Sequence, residues 1–303
     1  MAHSDEAVSY REDNDVKHAL TEELFDLHVN RRIAAWIVQA LMPTPVSANH
    51  ITLTGAALAC FSGYLLAVGT AYSLGWAAVC LMSAMVLDCA DGQLARNRGG
   101  GSRLGRTLDG MSDYINATAL HLGMWAYLAS TGVLFRERIV DGWGLFAWVS
   151  LAGVSMALHS GMFDFRKQWF LAHTTEGKGE FEDPDLLRQE IAACPSAIQR
   201  GAMRFYLIYA SVQSKLTGGC EVAYIRDATE RRDFVEQSRR YMRALNLIGP
   251  THHNVLILLA MVAAPFYPES FWWYVLTVTV PMNLAYVALV FWGRRVDGQL
   301  KQG

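Results

Sequence analysis

The sequence predicts an all-α integral membrane protein, with six transmembrane helices preceded by an N-terminal interfacial amphipathic helix. Three observations predict it. The 303-residue chain is 52% hydrophobic and only 18% charged, whereas a soluble domain averages about 25% charged residues. Six apolar stretches reach or approach the roughly 20 residues a helix needs to cross a bilayer. Finally, the charges are segregated between those stretches, so the net charge of -2 says little about partners.

Residues 1–45 form a cytoplasmic or interfacial segment. Within it, residues 19–41 (ALTEELFDLHVNRRIAAWIVQAL) set Leu20, Leu24, Leu27, Ile33, Trp36, Ile37 and Leu41 against Glu22, Glu23, Asp26, Arg31 and Arg32 at helical spacing. Trp and Arg on such a stretch favour the membrane interface. Pro43 and Pro45 end the helix. No short apolar core with a small-residue cleavage site is visible in the first fifty residues, so the first span is expected to direct insertion.

Residues 46–303 read as one membrane domain. Its spans are expected near Ile51 to Thr70, Tyr72 to Asp91, Thr107 to Val133, Trp143 to Arg166, Thr251 to Tyr267 and Ser270 to Trp292, with a cytoplasmic insertion at about 167–250. Arg31 and Arg32, the arginines from Arg96 to Arg106, Arg166 with Lys167, and Arg294 with Arg295 all fall on one side of a six-span chain. The positive-inside rule makes that side cytoplasmic, with Arg136 and Arg138 as exceptions on the opposite loop. The expected location is the cell's inner (cytoplasmic) membrane. Cys60, Cys80, Cys89, Cys194 and Cys220 show no paired spacing, which argues for small core residues and against a disulfide framework. The basic residues flank membrane segments and form no aromatic-interleaved stripe, so nucleic-acid binding is not indicated.

The chemistry lies at the seam of the second and third spans, DCADGQLARNRGGGSRLGRTLDGMSD. Asp88 and Asp91 are three apart and Asp109 and Asp113 four apart, so on helices each pair projects from one face. Four carboxylates gathered in a poorly hydrated place repel one another unless a hard divalent cation neutralises them. Mg²⁺ or Mn²⁺ suits an all-oxygen donor set and leaves coordination positions open for phosphate oxygens. Gly92 and Gly105 permit close approach of backbone and ligand, and Arg96, Arg98, Arg103 and Arg106 supply positive charge.

The stretch matches D-x2-D-G-x2-A-R-x8-G-x3-D-x3-D at Asp88, Asp91, Gly92, Ala95, Arg96, Gly105, Asp109 and Asp113. It resembles the CDP-alcohol phosphotransferase family, also called CDP-alcohol phosphatidyltransferases. The resemblance implies six core transmembrane helices, a homodimer, two divalent ions (Mg²⁺ or Mn²⁺) and an amphipathic helix at the membrane face. It implies that Asp88, Asp91, Asp109 and Asp113 hold the metals and that Asp113 is also the catalytic base. It further implies that Gly92, Ala95, Arg96 and Gly105 line the CDP site, with Arg96 on the pyrophosphate. Asn49 and Thr52 match the family's Pro-Asn-x-x-Thr turn, another CDP contact, with Ala48 in place of the proline.

By the same resemblance the enzyme transfers a substituted phosphate from a CDP-activated donor of CDP-diacylglycerol type to an alcohol, releasing CMP in phospholipid biosynthesis. The motif equally fits a CDP-choline, CDP-ethanolamine or CDP-inositol type donor and a lipid alcohol acceptor such as diacylglycerol or ceramide. Arg166, Arg200 and Arg204 are candidates for holding a phosphorylated acceptor, and His252 and His253 are polar groups at the edge of the fifth span. Asn116, His159 and Asp164 are polar residues in or beside spans that need partners. A divalent cation transporter also explains the aspartates, though not the Gly-x-x-Ala-Arg between them.

Overall fold

The computed structural model describes residues 20–100, 103–136, 139–175 and 224–300, together with 188–189, 191–192, 200–201, 204 and 207. Among these, every regular element is helical. The chain enters through a π turn (Asp26–Asn30) into α1 (Arg31–Leu41). α2 (Ala48–Val68), α3 (Ala71–Asn97) and α4 (Arg103–Thr131) follow. Next come α5 (Gly142–Thr174), α6 (Ala228–Leu245) and α7 (Pro250–Ala263). α8 (Ser270–Thr277) and α9 (Asn283–Leu300) close the chain.

Local chemistry explains the boundaries. The Thr70 hydroxyl caps α3 by accepting from Ser73 N–H, and the carboxylates of Asp141 and Asp227 do the same for α5 and α6. Gly69, at φ +73°, ends α2 in the left-handed conformation that a side chain would resist. Pro281 has no N–H to donate, and there α8 passes into α9 through a π turn (Val278–Met282).

Five stretches of the described residues are helical, long and apolar enough to cross a membrane: Ala48–Val68, Ala71–Asn97, Gly142–Thr174, Ala228–Ala263 and Ser270–Gly298. The protein is thus a multi-pass membrane protein by length and composition of its helices. The expected third span coincides with α4, a helix of 29 residues that is long enough but not among the five. Asp109 and Asp113 sit in its first turns, and Asn116 and His121 dilute the apolar remainder.

One further expectation changes. Within residues 20–41 the helix is interrupted at Glu22 and Glu23, which periodicity placed on the polar face and which are buried. Glu22 pairs with Arg31 and Lys167, while the Glu23 carboxylate accepts from Thr251 N–H and His252 N–H at 2.8 Å each, closing the N-terminus of α7. The insertion also contains the regular helix α6, whose buried side carries Phe234, Ser238, Tyr241, Met242 and Leu245. In α1, Ala34 and Val38 are buried with Ile51, Val86, Ala90 and Leu94, while Trp36 is exposed.

α2 packs closely on both α3 and α4. The crossing with α4 depends on missing side chains, since a Cβ on Gly63 would overlap the Ala119 carbonyl and one on Gly123 the Gly63 carbonyl. Small residues at such crossings let helix backbones touch in lipid. Gly123→Val is therefore expected to destabilise the protein by about 1–3 kcal/mol through overpacking. A fall in the thermal midpoint in detergent is the check, and an unchanged midpoint would contradict this packing.

Candidate active site

Asp88 and Asp91 lie in the last turns of α3, and Asp109 and Asp113 in the first turns of α4. The turn between the helices needs glycine: Gly99 and Gly100 adopt φ of +98° and +112°. Gly100 N–H donates to the Ala95 carbonyl at 2.9 Å, closing the end of α3. Gly101 lies outside the described residues.

One carboxylate oxygen each from Asp88, Asp91 and Asp109 lies within 4.8 Å of the others. Opposite ligands of an octahedral Mg²⁺ are about 4 Å apart, given bonds of 2.0–2.1 Å. The three oxygens are close enough together to share one hard cation, for which carboxylates are the suited donors. Asp113 is exposed, one turn beyond Asp109 on the same face of α4, and contributes no oxygen to this trio. It nonetheless acts electrostatically on Asp88, and Asp164 of α5 acts on both Asp109 and Asp113. Asp88 and Asp91 of α3 are therefore brought together with Asp109 of α4.

Buried Thr52 donates its hydroxyl to Asp91 Oδ2, orienting that carboxylate from α2. Asn49 is half-buried one turn earlier. Ala48 takes the first helical position, where proline would preset the backbone. A capping box does that work here: Ser47 Oγ accepts from His50 N–H, and His50 Nδ1 accepts from Ser47 N–H.

Arg96 folds back over Gly92, with its Nη1 3.2 Å from where a Cβ would stand. A side chain at position 92 would push that guanidinium away. Ala95 and Gly105 are half-buried on the flanking helices. Arg98 has a structural role, its guanidinium donating to the carbonyls of Leu41, Met42, Thr44 and Val46 and so locking the end of α1 to the end of α3.

The acceptor candidates are dispersed. Arg166 is buried and bidentate to Asp297, at 2.7 and 3.0 Å, with Trp169 and Tyr241 against its guanidinium. Arg200 is half-buried and Arg204 exposed, while most of their neighbours in sequence lie outside the described residues. His252 Nδ1 is 3.0 Å from Glu23. His253 is buried and starts a chain: its Nε2 lies 3.2 Å from His159 Nδ1, His159 Nε2 is 3.1 Å from Asn283 Oδ1, and Asn283 Nδ2 donates to Ser155 Oγ. His253 and His159 thus partner each other within the helix bundle. Asn116 Oδ1 is buried without a hydrogen-bond partner among the described residues.

Sequence reasoning missed that Glu22, Glu23 and Asp26 are taken up by partners on distant helices. Their alternation with apolar residues signalled a surface helix, and no local pattern marks a carboxylate that will be enclosed by distant helices.

Residues 46–167 match the family model described as CDP-alcohol phosphatidyltransferase. The resemblance drawn from the aspartate motif therefore holds over α2 to the body of α5, the segment that carries the carboxylates, Thr52 and Asp164. The family's members transfer phosphate-containing groups from CDP-alcohols and use divalent metals. No curated protein and no solved structure matches the chain.

Proposed function

We propose that this chain is a membrane enzyme of phospholipid biosynthesis that transfers a substituted phosphate from a CDP-activated donor, of CDP-diacylglycerol type, to an alcohol. The carrying observation is the convergence of Asp88, Asp91 and Asp109 carboxylates from two helices inside the segment that matches the family. Asp88, Asp91, Asp109 and Asp113 would hold two divalent ions, a reading supported by the converging oxygens of the first three. When bound, such ions supply charge neutralisation at the phosphate oxygens during the displacement.

The chain's own residues do the rest. Arg96, lying over Gly92, pairs with the donor's pyrophosphate, and Asn49, Ala95 and Gly105 shape the nucleotide pocket. Thr52 holds Asp91 in place. Asp113, exposed and outside the trio, takes the acceptor's hydroxyl proton as that oxygen attacks the phosphorus bearing the donor's alcohol. The new O–P bond forms as the bond to the CMP oxygen breaks, and CMP leaves with the electron pair. No covalent enzyme intermediate is required.

The basic flanks orient this end of the bundle toward the cytoplasm, with α4 as the sixth span and a homodimer as the assembled form. The test is CMP release by the purified protein in detergent with Mg²⁺ or Mn²⁺. CDP-diacylglycerol, CDP-choline, CDP-ethanolamine and CDP-inositol serve as donors, and mass analysis of the lipids names donor and acceptor together. EDTA is expected to reduce release to background, and added Mg²⁺ or Mn²⁺ to restore it. No CMP from any donor and acceptor mixture, or release indifferent to EDTA, would refute the reading.

A further inference from the structure

The matched segment begins at residue 46, yet an acid from outside it stands against Cys89, the residue next to Asp88. Asp26 stands in the π turn before α1. Its Oδ2 accepts from the Thr251 hydroxyl of α7, and its Oδ1 accepts from Asn30 Nδ2 at 2.6 Å. The Cys89 thiol lies 3.9 Å from the same Oδ1, and Cys89 is the residue next to Asp88. Among the neighbouring negative charges that act on Asp88, Asp26 has the smallest effect, after Asp113, Asp109 and Asp91.

Asn30 supplies a second, independent observation. It is fully buried. Its Nδ2 has to face Asp26, because the reversed amide would set two acceptors against each other. Its Oδ1 is then left with no hydrogen-bond partner among the described residues. A buried acceptor needs a donor, and one that serves an amide oxygen beside a carboxylate is water, free or bound to a cation.

We propose that Asp26 and Asn30 are positioning residues for the divalent cation at Asp88, acting through water bound to the ion and not as direct ligands. This rests on the metal reading of the aspartate motif. Asp26 adds negative charge behind Asp88, and its bond to Thr251 ties that charge to α7. The N-terminal strap thereby becomes part of the cation site while staying outside the motif.

Mn²⁺ binding to the full-length protein in detergent, followed by electron paramagnetic resonance, tests this without recourse to turnover. Asp26→Asn keeps the shape and is expected to weaken Mn²⁺ by about 10-fold or more, the usual cost of losing an outer-shell partner. Glu22→Gln, at the other end of the strap, is expected to leave Mn²⁺ affinity unchanged. An Asp26 that merely staples the fold would lower the thermal midpoint without moving Mn²⁺ affinity, and that result overturns the proposal. Equal weakening in Glu22→Gln overturns it too, because disruption of the strap would explain both.

Should Asp26→Asn fail to fold, Thr251→Val removes the hydroxyl at constant shape and carries the same measurement. Weakened Mn²⁺ is then expected, and unchanged affinity overturns the proposal. If wild-type protein binds no Mn²⁺, the metal reading itself fails. If wild type binds it and Asp26→Asn binds equally well, only the strap's role fails.

Discussion

Asp113→Asn is expected to lower CMP release by about 10²–10⁴-fold, the usual contribution of a positioned general base, while CDP-substrate binding stays largely intact. Asp113 has the placement for this: it is exposed and lies on the face of α4 that carries Asp109. It also stands outside the three oxygens that converge. Asp91→Asn should behave differently. Asp91 is buried, belongs to the trio and is held by Thr52, so its amide is expected to lose metal-dependent donor binding along with turnover. Single-turnover CMP release and equilibrium binding of a CDP-substrate, measured on both variants, separate the roles. Near-normal turnover in both would end the assignment.

Arg166→Met is expected to destabilise the folded protein by about 3–5 kcal/mol, because removing one partner of a buried ion pair strands the other charge. The pair is well enclosed, with side-chain exposures of 3% for Arg166 and 15% for Asp297. Its guanidinium is also fixed over Trp169 and Tyr241. Gly293 gives it room, since a Cβ there would come within 2.6 Å of Arg166 Nη2. Arg166→Lys should not rescue, as an ammonium cannot reproduce the two-pronged contact. Thermal unfolding in detergent reads this effect. A raised KM for the acceptor with an unshifted midpoint would instead assign Arg166 to acceptor binding.

Much of the site was legible because its spacing is local. Asp88 with Asp91 and Asp109 with Asp113 share helix faces by geometry alone, and five of the six expected spans overlap the five candidate spans, with α5 running on from Arg166 to Thr174. What stayed hidden depends on distant partners. Nothing near Arg166 announces Asp297, 131 positions away. Nothing near Glu23 announces the bare N–H groups of α7. α6 escaped because its charged face resembles the rest of the insertion, while its buried side shows only against the bundle.

Taken alone, the amino-acid order determined a helical membrane protein and the aspartate motif within residues 46–167, the segment that matches the family. Helical period, span length and carboxylate repulsion all act within a few turns of chain. Only the tertiary structure decided which aspartates converge, that Thr52 orients Asp91, that Arg98 and Arg166 are fastened to the framework, and that Asp26 bonds to Thr251 of α7. Those outcomes depend on which helices pack together, because a buried charge or orphan backbone group takes its partner from whatever the fold brings within about 3 Å.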